Sequence, residues 1–259
     1  MKYVNHKDKL KKIELTKKNF YVMIDFDRTI TEANSISAWR ILYHSELLGK
    51  DFKQKYTDIH DKTELDKNQS NEAKQKAFEE RFTAYMELLR TCNFNKDILE
   101  QSVGKTELTL REGAKAFFRK MYENNIPVII ISCSIKNVIE EYLKQNGVYY
   151  DNIYIYANYL DMNGKKENDV TNITPYSKNK IQFSEEVKKN VKDKKYIILL
   201  GDIVDDVNMV SKENLNNTIT IGFLEKDIES NLEKYNEIFD IVLTNRTSFD
   251  EVLKIIACN

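Results

Sequence analysis

Five short apolar runs rich in β-branched residues mark out the chain: "NFYVMID" (19–25), "IPVIIIS" (126–132), "KYIILLG" (195–201), "NTITIGF" (217–223) and "FDIVLT" (239–244). Runs this apolar suit strands covered on both faces, as in a parallel sheet. Helical periodicity lies between them. "REGAKAFFRKMYENN" puts Ala114, Phe117, Phe118 and Met121 on one face. "IKNVIEEYLKQNG" does the same with Ile135, Val138, Ile139, Tyr142 and Leu143, and ends at Gly147, a natural residue for the left-handed turn after a helix. Strand–helix alternation predicts an α/β fold built on a doubly wound parallel sheet.

Residues 33–110 break that alternation. "SISAWRILYHSELLGKDFKQKY", "SNEAKQKAFEERFTAYMELLRT" and "FNKDILEQSV" read as charged helices with no strand pattern. They predict a helical insertion after the first strand, leaving residues 1–32 and 111–259 as the α/β core. "DNIYIYANYLDMNGKKENDV" alternates and carries Asn163-Gly164, a hairpin signal, which predicts a small antiparallel ribbon at the sheet edge. The N-terminal "MKYVNHKDKLKKIELTKKNF" reads as a solvated amphipathic helix and lacks the apolar core of a secretory signal.

In an open parallel sheet, ligands bind at the carboxyl ends of the strands. The first strand ends in Asp25-Phe26-Asp27-Arg28-Thr29, the second in Ser132 and the third in "GDIVDD", with Asp202, Asp205 and Asp206. "PYSKNK" supplies Lys178 and Lys180 between the last two. Carboxylates gathered at one rim repel one another unless a cation sits among them. Mg²⁺ suits an all-oxygen set completed by waters and a substrate phosphate. A lysine and a hydroxyl would then hold the remaining phosphate oxygens.

Composition narrows the classes. The 259 residues hold 40 Lys and Arg against 41 Asp and Glu, a formal charge of -1, which argues against a dedicated nucleic-acid or anionic-membrane binder. No apolar run approaches the roughly 20 residues needed to span a bilayer. The three histidines lack zinc-ligand spacing, and Cys92, Cys133 and Cys258 are far apart with no CxxC pattern, so reduced thiols in a cytoplasmic protein are expected.

The ordered set "DFDRT", "IIIS", "YSKNK" and "GDIVDD" resembles the haloacid dehalogenase (HAD) superfamily, whose phosphatases carry these four motifs in this order. From about residue 110 to 245 the chain is similar to the cytosolic pyrimidine 5′-nucleotidase (type III) family, on segments such as "NVIEEYLKQNGVYYDNIYIYANYLDMNGK" and "IILLGDIVDDVNMV". The resemblance implies a Mg²⁺-dependent phosphomonoester hydrolase with a small-molecule phosphate ester as its partner. Asp25 would be the nucleophile and Asp27 the acid and base. Asp25, the main-chain carbonyl of Asp27, Asp202 and Asp206 would hold the metal, Asp206 directly or through water. Thr29, Ser132, Cys133 and Lys178 would line the phosphate site, with Lys180 the alternative to Lys178. The insertion would be a cap, with Glu80 the match to a base-contacting glutamate. Bland readings stand beside these: Ser132 as a helix N-cap, Asp205 as a helix-start charge, Glu80 as a solvated side chain, Cys133 as a small filler, and Trp39 and Tyr43 as helix core. The chain departs from the family at Cys133-Ser134-Ile135, where small, glycine-containing residues are usual, and at Asp205, where glycine is usual. Three alternatives stay open: a phosphatase of another small metabolite, such as a phosphoserine or sugar phosphate, a non-catalytic module binding a phosphorylated ligand or partner, or phosphoryl transfer to an acceptor other than water.

Overall fold

The computed structural model describes residues 1–62, 69–160, 173–245 and 247–257. In chain order the main elements are β1 (Lys2–Val4), α1 (Lys7–Leu10), β2 (Phe20–Ile24), α2 (Ile41–His44), α3 (Gly49–Lys62), α4 (Asn71–Thr91), α5 (Lys96–Gly104), α6 (Ala114–Glu123), β3 (Val128–Ile135), α7 (Lys136–Gln145), β4 (Ile153–Asn158), α8 (Glu185–Val191), β5 (Tyr196–Gly201), β6 (Thr218–Leu224), α9 (Ile228–Ile238), β7 (Ile241–Thr244) and α10 (Phe249–Ala257).

The described strands form one seven-stranded sheet in the order β1-β7-β6-β5-β2-β3-β4, parallel except for β1. All residues of β2, β5, β6 and β7 are buried, in keeping with their largely apolar, β-branched sequences. Successive side chains of β2 serve opposite layers. Val22 and Ile24 join Ile130, Ile198, Phe117 and Leu143 on one face, while Met23 joins Ile129, Leu199 and Phe239 on the other. Helix α6 buries the four predicted residues Ala114, Phe117, Phe118 and Met121. At about 1.5–3 kcal/mol for each large apolar side chain, that stripe fixes the helix to the sheet. Helix α7 stops at Asn146 and Gly147, the latter at φ +69°, where a Cβ would be strained.

The sheet order decides where a site can lie. β2 sits between β5 and β3, the chain winding outward in both directions from it, so β2 is the topological switch point. The ends of β2, β3 and β5 therefore lie side by side. Among the described residues between β2 and β3 the regular elements are helices, as predicted, with α3 and α4 packing Phe52, Tyr56, Tyr85, Leu88 and Leu89 into a shared interior.

Two expectations need correction. The segment 151–160 is not half of a separate antiparallel ribbon: Ile153–Asn158 continues the main sheet, parallel to β3 with Ile153 opposite Val128. Its alternation reflects an edge strand with one half-covered face. The Asn163-Gly164 turn lies outside the described residues. The N-terminus is an antiparallel edge strand followed by a single helical turn, not a longer helix. Burial decides this, because Ile13 and Leu15 enter the core and the fully buried Asp240 accepts from Lys9 at 2.7 Å and pairs with His6 at 2.9 Å. No helix among the described residues is long and apolar enough to cross a membrane.

Candidate active site

At the end of β2 the chain leaves the sheet at Asp25 and turns sharply, with Arg28 in the left-handed region at φ +61°. A non-glycine residue there is strained by about 1 kcal/mol or more and needs outside support. Thr31 Oγ1 accepts from the Arg28 N–H at 2.7 Å, and the buried Arg111 guanidinium donates to the carbonyls of Arg28, Thr29 (2.8 Å) and Thr247 (3.1 Å). Arg111 is itself held by Glu225 at 2.8 Å and lies over the Phe223 ring at 4.3 Å. One buried cation thus fixes the shape of the turn.

Around that turn the polar strand ends meet. Lys178 Nζ donates to Asp25 Oδ1 at 2.6 Å and to Asp206 Oδ1 at 2.7 Å, all three groups being buried. Asp206 Oδ2 accepts from the N–H groups of Asp202 (3.0 Å) and Ile203 (3.2 Å), which closes the loop after β5. Gly201 permits that packing, since a Cβ there would lie 2.4 Å from the Asp206 side chain. Carboxylate oxygens of Asp25, Asp202 and Asp206 lie within 4.8 Å of one another. One ammonium cannot balance three carboxylates out of water. Burial pushes the Asp25 carboxyl well above its usual range against the opposing pull of Lys178, and burial with the nearby Asp206 raises Asp202 to about 7. Burial tends to neutralise Lys178, but Asp206 and Asp25 outweigh it and hold the ammonium firmly charged. The donors are all oxygen and short of positive charge, a set that fits a hard divalent cation such as Mg²⁺.

Asp27 is separate from that triad. Its Oδ1 accepts from the Ala38 N–H at 2.7 Å and its Oδ2 from the Ser134 hydroxyl. Burial raises its carboxyl despite these bonds. Ser132 is 1% exposed, and its Oγ accepts from the Ser134 N–H at 3.1 Å. Beside it, burial pushes the Cys133 thiol up to about 12, which leaves it a neutral wall. Asn158 ties the pieces together, donating to the carbonyls of Cys133 (2.7 Å) and Ile173 (2.9 Å) and accepting from the Ile173 N–H (2.7 Å). It thereby joins the last part of β3, which runs on past the predicted end at Ser132 to Ile135 with a register shift after Ile131, to the segment that carries Lys178.

Asp25, Asp27, Ser132, Cys133, Lys178 and Asp202 floor a cavity of about 640 Å³, with Asp206 buried behind them, and the helical insertion supplies walls: Trp39, Tyr43, Tyr56, Phe78 and Phe82, with Arg40, His60 and Arg81. Trp39 and Tyr43 are therefore cavity wall as well as packing, with Trp39 4.9 Å from Tyr85 and Tyr43 4.9 Å from Tyr56 between ring centroids.

The structure thus brings together Asp25, Asp27, Ser132, Cys133, Lys178, Asp202 and Asp206. It does not bring in Thr29, which is fully buried and off the cavity, its main chain serving Arg111. Glu80 also lies off the cavity, exposed and 3.8 Å from Lys76 on the same helix. Lys180 and Asp205 are exposed. Ala38, Arg111 and Asn158 carry no signal in the sequence, and Ser134 stands out there only as a departure from the family pattern, without a role.

The sequence matches the family described as "Pyrimidine 5'-nucleotidase (UMPH-1)" over residues 21–258. The chain belongs to that family. The mouse 7-methylguanosine phosphate-specific 5′-nucleotidase is 30% identical over 244 residues, which cover 89% of this chain and 81% of the mouse protein. Among solved structures, cytosolic 5′-nucleotidase IIIB bound to cytidine superposes with a TM-score of 0.74 at 21% identity, over 97% of this chain and 87% of that one. An apo phosphoserine phosphatase superposes at 0.55 and 18% identity, over 92% and 98%. This nucleotidase-family enzyme has the HAD phosphatase fold.

Proposed function

We propose that the chain is a Mg²⁺-dependent phosphomonoesterase that hydrolyses nucleoside 5′-monophosphates through an aspartyl-phosphate on Asp25. One observation carries the reading: a buried ammonium 2.6 Å from Asp25, beside an under-neutralised acidic triad, on the floor of an aromatic-walled cavity of about 640 Å³. The floor suits a phosphate and the walls suit a planar base. The names of the family and its relatives, and the cytidine bound to the structural neighbour, support the nucleotide part.

Asp25, Asp202 and Asp206 would hold Mg²⁺ with the Asp27 main-chain carbonyl. When bound, the ion supplies the positive charge that lets a phosphate dianion approach carboxylates. Lys178 and the Ser132 hydroxyl bind phosphoryl oxygens and set the phosphorus in line with Asp25. An Asp25 carboxylate oxygen bonds to phosphorus as the bond to the ester oxygen breaks, and Asp27 gives that oxygen its proton. Asp27 then takes a proton from water, whose oxygen displaces Asp25 from phosphorus and frees inorganic phosphate. Segment 33–110 acts as a cap on a core of residues 1–32 and 111–259, excluding bulk water from this chemistry. The free thiols of Cys92 and Cys133 suit a reducing, cytoplasmic setting.

The test is phosphate release from cytidine and uridine 5′-monophosphates, 7-methylguanosine 5′-monophosphate, phosphoserine and sugar phosphates, with Mg²⁺ and with a chelator. Mg²⁺-dependent release that favours nucleotides is expected. Preference for phosphoserine or a sugar phosphate removes the nucleotide assignment. No release with any divalent cation removes the phosphatase reading of the site.

A further inference from the structure

Both carboxylate oxygens of Asp27 are engaged, by two separate segments of the chain. The Ala38 N–H, at the first turn of the insertion, donates to Oδ1 at 2.7 Å, and the Ser134 hydroxyl donates to Oδ2. Ser134 is 3% exposed and lines the cavity beside Ser132 and Asp27. Its main-chain N–H is already committed to Ser132 Oγ at 3.1 Å, so backbone and side chain of this one residue reach two different groups of the site. A carboxyl held at one oxygen can still swing about its last torsion, whereas one held at both has a fixed plane.

We propose that Ser134 is a positioning residue for proton transfer: it fixes the Asp27 carboxyl in the plane from which the leaving ester oxygen is protonated. This rests on the reading of Asp27 as the acid. In the step concerned, the Asp25 oxygen–phosphorus bond forms, the phosphorus–ester oxygen bond breaks, and the electron pair left on the ester oxygen takes the proton from Asp27, which becomes a carboxylate. The Ser134 hydroxyl exchanges no atom and holds the same Asp27 oxygen before and after. Its contribution follows the basicity of the leaving group. A nucleoside 5′-alkoxide cannot depart without the proton, and a p-nitrophenolate can. A serine that merely filled space or steadied the fold would affect both esters alike.

The experiment compares kcat/KM, which reports events through the first irreversible cleavage, for cytidine 5′-monophosphate and p-nitrophenyl phosphate with Mg²⁺ present. The proteins are wild type, Ser134→Ala, Ser134→Thr and Asp27→Asn. Ser134→Ala is expected to lower the value for the nucleotide by about 10- to 100-fold and that for the aryl ester by less than about 3-fold. Ser134→Thr, which keeps a hydroxyl, restores most of the loss, and Asp27→Asn shows the same selectivity in stronger form. Should Ser134→Ala not fold, Ser134→Gly also lacks the hydroxyl and is expected to give the same split. Equal loss on both esters, or no loss on either, in a Ser134 variant while Asp27→Asn remains selective overturns the role of Ser134 alone. Equal loss in Asp27→Asn overturns the reading of Asp27 as the acid, and this inference with it.

Discussion

Lys178 shows what a single residue does here. Its ammonium lies between Asp25 and Asp206 at 2.6 and 2.7 Å, all out of water. Removing one partner of a buried ionic group costs about 3–5 kcal/mol, because the charge left behind has no compensation. Lys178→Met should therefore lower the melting temperature of the metal-free protein at neutral pH. The loss should shrink as pH falls, because burial raises the Asp25 carboxyl and favours its neutral form, and Mg²⁺ should recover part of it. Phosphatase activity should fall at least about 100-fold. Calorimetry with and without Mg²⁺ checks this, and an unchanged melting temperature would contradict the pairing. Asp25 and Asp202 were legible because each sits in a short motif at a predicted strand end, and Lys178 only because "YSKNK" falls in the family's motif order. Arg111, Ser134 and Asn158 were not. They act on residues 82, 107 and 25 positions away, and nothing local distinguishes Arg111 from a solvated helix-start arginine.

Among the elements, the turn out of β5 sets the tightest tolerance. Gly201 lies where a Cβ would meet Asp206 at 2.4 Å, and Asp206 carries both the loop N–H bonds and one arm of Lys178. Gly201→Ala must push Asp206 aside. The expected cost is about 1–3 kcal/mol of stability from overpacking, together with a weaker apparent affinity for Mg²⁺ and a steep loss of activity. Thermal melts across a Mg²⁺ titration measure it, and a variant that binds Mg²⁺ as wild type does would refute the packing argument. Apolar, β-branched runs announced the central strands β2, β3, β5, β6 and β7, because burial on both faces favours apolar residues and admits a polar one only with a partner, as Thr220 has in Asp240. The edges were harder. β1 is only three residues long, and the alternation of β4 mimics a solvated ribbon.

The whole molecule brings three strand ends into one acidic rim, which ties its stability to pH and metal. The pattern showed the doubly wound class but not the strand order, which is set by contacts between distant segments. Asp202 moves from an ordinary carboxyl value of 3.8 to about 7 in the folded protein, and Asp25 is raised well above its own. A raised carboxyl pKa means the folded state holds protons that the unfolded state has released. Without metal, these groups therefore erode stability as pH rises from about 4 through about 7. Mg²⁺ needs the same oxygens deprotonated, so its stabilising effect should grow over that interval. The Mg²⁺-induced rise in melting temperature should be clearly larger at about pH 8 than at about pH 5.5. An equal or larger rise at the lower pH would show that these carboxyls do not take the metal.

The central claim is that Asp25 bonds to phosphorus, and trapping that bond tests it most directly. The wild-type chain is mixed with Mg²⁺ and a nucleoside monophosphate carrying a radiolabelled phosphate, quenched in acid within the turnover time and digested. Acid-stable label is predicted on the peptide containing Asp25, and Asp25→Asn should show neither label nor turnover. Label on another residue, or Asp25→Asn hydrolysing at the wild-type rate, would contradict the account.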